Sequence, residues 1–75
     1  MRCDGDKVVR AREAQGLSRE DVARRAGVSN SVVERMERGV SVNDESVQAV
    51  AAALGIVFDA LRHSDEGREA AVPSR

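Results

Sequence analysis

Aromatic residues are almost absent from this 75-residue chain: Phe58 stands alone, with no Trp or Tyr. A core without large rings must be assembled from aliphatic side chains, here drawn mainly from 12 Val and 11 Ala, so its stability should be modest. Cysteine occurs once, as Cys3, and histidine once, as His63. A single Cys excludes an internal disulfide, and one Cys with one His cannot complete a structural zinc site within one chain. Both residues read as isolated occurrences near the chain ends. No apolar run approaches the ~20 residues that span a bilayer, and no signal peptide is visible at the N-terminus. A soluble, cytoplasmic protein is expected. Lysine is also scarce: 11 of the 12 basic residues are Arg. With the many Ala, Val and Gly, this composition hints at a genome rich in G and C, bacterial or phage.

Charge is plentiful but balanced. Twelve Lys and Arg face 13 Asp and Glu, for a net charge of −1. A basic coating over the whole surface is excluded, but a local basic face is not. Residues 1–39 hold nine basic and seven acidic side chains, whereas residues 40–75 hold three and six. The first half is therefore positive and the second negative. No nucleophile–base pair, Gly-rich phosphate loop or paired-ligand spacing occurs, so no catalytic residue, metal site or cofactor is expected and the chain is not read as an enzyme.

Helix punctuation recurs at short intervals. Gly5 to Gln15 begins among Asp4 and Asp6 and stops at Gly16, acid first and glycine last. Ser18-Arg19-Glu20-Asp21 reads as a capping box, with Ser18 accepting from the amide of Asp21 and Asp21 reaching back. That helix runs to about Ala26 before Gly27. Ser29 caps a third helix that ends before Gly39. Asn43 caps a fourth, in which Val47, Val50, Ala51 and Leu54 recur at helical spacing up to Gly55. A short fifth turn is expected over 58–62. Helix one has few long aliphatic residues, which suggests loose packing. Residues 63–75, with Asp65, Glu66, Glu69 and Pro73, offer little to bury and read as a flexible acidic tail. The expected organisation is one all-α, five-helix domain over 1–62 followed by that tail. Connections of two to five residues are too short for βαβ crossovers.

The second and third helices carry the most specific pattern. Two helices that cross steeply through a tight turn need a small residue where their backbones approach, a corner residue tolerant of positive φ, and an apolar wedge on the next helix. Ala23, Gly27 and Val33 meet these needs in order. The stretch from Leu17 to Ser29 (LSREDVARRAGVS), with Met36-Glu37-Arg38-Gly39, Ala53-Leu54-Gly55-Ile56 and the early Arg12, resembles the phage-repressor/Cro (XRE-like) helix-turn-helix family. The resemblance spans roughly residues 8 to 62. It implies a bundle of lambda-repressor-like, DNA-binding type, and a regulator, expected to be a repressor, that binds an inverted-repeat operator in double-stranded DNA as a homodimer. The other reading is an antitoxin or protein-interaction module with the same fold, whose protein partner would be a toxin or similar protein.

The resemblance makes the third helix the recognition helix, with Ser29, Asn30, Ser31, Glu34 and Arg35 toward base edges. Asn can pair bidentately with adenine, Arg with guanine, and a carboxylate can accept from cytosine. Short polar residues at a helix start also serve as caps, and Ser29 is expected to do so. Arg19 and Arg38 are expected at phosphates, while Arg24 and Arg25 fit a solvated helix face. Arg12 and Glu37 match a structural ion pair of the family. Val57, Phe58 and Leu61 are the candidates for a dimer interface, and each also suits the core. Two departures stand out: Val40-Ser41-Val42 replaces the basic residue and proline common in relatives, and Arg19 stands where relatives often carry glutamine.

Overall fold

A computed structural model describes residues 1–61. Four α-helices and one short 3-10 turn follow in order: α1 Gly5–Ala14, α2 Arg19–Ala26, α3 Asn30–Glu37, α4 Asp44–Leu54 and the turn Phe58–Leu61. The expected fifth helix is thus a single 3-10 turn. Four residues are too few to repay the cost of helix nucleation, and the i→i+3 bond from Ala60 N to Val57 O closes the turn instead. Residues 63–75, and with them His63 and the expected flexible acidic tail, lie outside the described residues.

Local chemistry sets the start of each helix. Asp4, Ser18, Ser29 and Asn43 are the N-caps, each accepting backbone N–H bonds through its side chain. At α2 the capping box is complete: Ser18 Oγ accepts from Asp21 N and Ser18 N donates to Asp21 Oδ2, both at 3.0 Å. These bonds, the backbone one foremost, hold the Asp21 carboxyl below its ordinary range.

The helices also end alike. At the corner after α2, Val28 N donates to Ala23 O at 3.0 Å and Gly27 N to Arg24 O at 3.3 Å. This is the double closure of a Schellman turn, and it puts Gly27 at φ +72°. The same pair of bonds closes α1 at Gly16, α3 at Gly39 and α4 at Gly55.

One aliphatic core joins the elements. Val8, Val22, Ala23, Val33, Met36, Val47, Val50, Ala51, Leu54 and Leu61 are buried, and α4 packs most extensively against α2. Cys3 belongs to this core with no exposed surface, so the reading of Cys3 as an isolated residue near a loose end is corrected. Its Sγ donates to Met36 O at 3.6 Å. Burial, and then the charge of Asp4, push the thiol up from its ordinary pKa. Among the α1 residues only Val8 is fully buried. The helix is held instead by close backbone approach, because a Cβ on Gly5 would stand 2.7 Å from the Glu37 carbonyl carbon and 2.9 Å from Met36 O. Among the described residues, no helix is long and apolar enough to cross a membrane.

Candidate nucleic-acid interface

Helix α3 divides cleanly into two faces. Val33 and Met36 are buried and Val32 is partly so, which turns Asn30, Ser31, Glu34, Arg35 and Arg38 outward. At 100° per residue these five positions fall within an arc of about 140°. Ser29, Asn30, Ser31, Glu34 and Arg35 are all exposed; the arc holds four of these five expected base-reading residues, and Ser29 lies outside it, at the N-cap. Ser29 also caps the helix, its Oγ accepting from Val32 N at 3.3 Å. Arg35 has no carboxylate within 4.0 Å among the described residues, whereas Arg38 Nη1 lies 4.0 Å from Glu34 Oε2, one turn back.

Behind this face sits a three-residue cluster. The Glu37 side chain is only 4% exposed, and its two oxygens serve two arginines. Oε2 accepts from Arg12 Nε at 2.7 Å and Oε1 from Arg19 Nε at 2.9 Å. Arg12 also donates through Nη1 to Leu17 O at 3.0 Å, spanning the connection between α1 and α2. Its side chain is 14% exposed, against 53% for Arg19. The hydrogen bond to Glu37, and then the attraction between the charges, raise the Arg19 pKa further. Glu37 therefore ties the end of α3 to α1 and to the start of α2, which fixes how α3 projects. The link to Arg19 had no signal in the sequence, since 18 positions and a helix crossing separate the partners.

The other expected residues fall into separate groups. Arg24 pairs with Asp21 at 3.0 Å on a solvated face of α2. In the 3-10 turn region, which Asp4 N joins through a 2.7 Å bond to Leu61 O, Val57 is 73% exposed and Phe58 is partly buried against the core. Leu61, the third residue expected at an interface, has no exposed surface. It is a core residue, because the 3-10 turn rolls it inward to the cluster that holds Val8, Val50 and Leu54.

Chemically, the exposed face of α3 offers amide, hydroxyl, carboxylate and guanidinium groups on a rigid rod, suited to reading hydrogen-bonding edges. A cleft of about 280 Å³ lies behind the corner, lined by Ala26, Gly27, Val28, Glu45, Ser46 and Ala49. It contains neither imidazole nor thiol. Among the described residues, no group of three or more His, Cys, Asp or Glu side chains could hold a metal ion.

Comparison with known proteins gives a consistent result. The restriction-modification controller protein C.AhdI of Aeromonas hydrophila superposes with a TM-score of 0.68 at 33% identity, over 75% of this chain and 86% of that one. The N-terminal DNA binding domain of SinR from Bacillus subtilis gives 0.67 at 24% identity, over 73% and 83%, a likeness of fold. An HTH_3 family transcriptional regulator from Vibrio cholerae gives 0.65 at 28% identity, over 75% of this chain and 32% of that longer one. No protein of curated function matches. The helix-turn-helix profile HTH_3 matches residues 8–61, from the middle of α1 to the 3-10 turn, and with the Ala23–Gly27–Val33 corner and the Arg12–Glu37 tie inside that span, the chain belongs to the HTH_3 helix-turn-helix family.

Proposed function

We propose that this protein is a sequence-specific DNA-binding transcriptional regulator, a repressor that occupies an inverted-repeat operator as a homodimer. The observation that carries this reading is the outward arc of α3, where five polar side chains share one exposed face while Val33 and Met36 lock the opposite face into the core. Such a helix in the major groove places Asn30 and Arg35 at base edges, with Ser29, Ser31 and Glu34 beside them. Arg38 at the end of the helix meets phosphate. Arg19 does so only with the exposed part of a side chain whose Nε is already committed to Glu37. Repression follows from geometry, since a protein seated on a promoter excludes polymerase.

Dimerisation answers a need for information. One helix start reads about four or five base pairs, each worth roughly 1–3 kcal/mol of discrimination. Two half-sites about 34 Å apart double that contribution. Val57 supplies exposed apolar surface for the interface, with the accessible edge of Phe58 beside it and Leu61 supporting both from within the core. The DNA-binding reading is tested by affinity for duplex DNA as salt is raised from about 50 to 200 mM. A dimer that neutralises about six phosphates gives a slope near −5 in log affinity against log salt. A flat dependence would remove the DNA-binding reading.

A further inference from the structure

The first five residues run along the end of α3 and the loop that follows it. Met1 O accepts from Val42 N at 3.0 Å, and the Met1 amine donates to Val42 O at 2.6 Å. Arg2 Nε donates to Gly39 O at 3.4 Å, Cys3 Sγ to Met36 O at 3.6 Å, and Gly5 lies against the Glu37 carbonyl. The segment is a strap over residues 36–42. Its neighbours are anchored, but Arg2 itself is exposed.

We propose that Arg2 is a phosphate-binding residue, carried by this strap to the rim of the groove that α3 enters. The proposal rests on the DNA-binding reading above. An eight-residue helix is about 12 Å long, close to the ~12 Å width of the major groove. A helix that reads bases along its outward arc up to Arg35 therefore has its C-terminal end, Glu37 and the cap residue Arg38, at the sugar–phosphate wall. The chain offers little unshared positive charge there: Arg38 has Glu34 at 4.0 Å, and Val40-Ser41-Val42 is uncharged. Arg2 fills that gap. It makes no ion pair among the described residues, and only its Nε is engaged, on Gly39 O. The two terminal amino groups of its guanidinium are a fork suited to phosphate oxygens. With Cys3 fully buried next to it, the backbone of Arg2 is already fixed, so less ordering is needed when DNA binds. A cation at the end of α3 also complements the helix dipole, a role that stabilises the fold but leaves the salt dependence of DNA binding untouched.

The test compares the full chain with Arg2→Gln and Arg2→Lys, any tag being placed at the C-terminus. Binding to a random-sequence duplex is titrated from about 50 to 200 mM salt, and thermal melting is followed alongside. Arg2→Gln should bind about tenfold more weakly at the lowest salt, with a slope shallower by about 0.9 for each bound protomer, and Arg2→Lys should restore most of both. If the parent protein binds with a steep slope and Arg2→Gln keeps that slope, the proposal is overturned while the DNA-binding reading stands. It is equally overturned if both variants melt early and lose affinity together, which marks a purely structural role. A flat slope in the parent protein removes both readings.

Discussion

Replacing Glu37 by glutamine isolates the tie that orients α3. The carboxylate supplies one oxygen to Arg12 and one to Arg19, at 2.7 and 2.9 Å. An amide keeps the size but has only one oxygen, so its nitrogen must face a guanidinium, donor against donor. The charge of Arg12, only 14% exposed, then loses its counter-ion and keeps neutral acceptors at best, Leu17 O among them. Removing one partner of a buried pair costs on the order of 3–5 kcal/mol. In a domain this small that lowers the melting temperature by at least about 12 °C. Urea denaturation followed by far-UV circular dichroism reads the loss directly. Arg12→Met should cost a similar amount, by stranding Glu37 with a solvated Arg19, whereas Arg12→Met with Glu37→Leu should cost less than either single change, because two hydrophobes need no counter-charge. Arg19→Gln should have a much smaller effect, since solvent already screens that side chain. Additive single effects below about 1 kcal/mol, with no recovery in the double variant, would refute the reasoning.

Three further outcomes follow from the packing and the titrating groups. Gly5→Ala should destabilise by about 1–3 kcal/mol or more in the same denaturation assay, because the new methyl meets the backbone of Glu37 and Met36, which cannot step aside. Cys3 should react with thiol reagents only as fast as the domain opens, and stability should fall as pH rises above about 8.5, where the unfolded thiol ionises before the folded one, whose pKa burial has raised. The Asp21 carboxyl, whose folded pKa is lowered chiefly by the backbone N–H of Ser18, contributes stability that is complete above about pH 4, its unfolded value, and is lost as pH falls through the lower folded one; Asp21→Asn should flatten that acid limb in a pH series of melting curves.

The features legible in the sequence are those governed by neighbours a few positions away. Caps at Ser18, Ser29 and Asn43 and closures at Gly16, Gly27, Gly39 and Gly55 depend on three to six consecutive residues, and they mark the helix ends. The steric demands of a tight corner make Ala23, Gly27 and Val33 readable for the same reason. Cys3 was not readable, because its burial depends on residues far away in the chain, Met36 among them. The strap and the Gly5 contact are likewise products of tertiary approach. Leu61 could not be told from Val57 by pattern, since a four-residue 3-10 turn has no period long enough to show which side faces inward. The bond between Arg19 and Glu37 exists only because α2 and α3 cross, and it commits to the fold the Nε of an arginine expected at phosphate.

The central claim, that the outward arc of α3 reads DNA bases, is tested most directly by comparing Arg35→Ala with Arg38→Ala on an operator obtained by selection of bound oligonucleotides and on its single-base variants, at two salt concentrations. Arg35 makes no ion pair among the described residues and sits one turn beyond Ser31 on the exposed face. Arg35→Ala should cost roughly 1–3 kcal/mol on the operator and relax preference at one base position, whereas Arg38→Ala should weaken binding to every sequence alike and reduce the salt slope by about one per contact. A uniform loss from Arg35→Ala together with altered base preference from Arg38→Ala would contradict this placement of α3 in the groove.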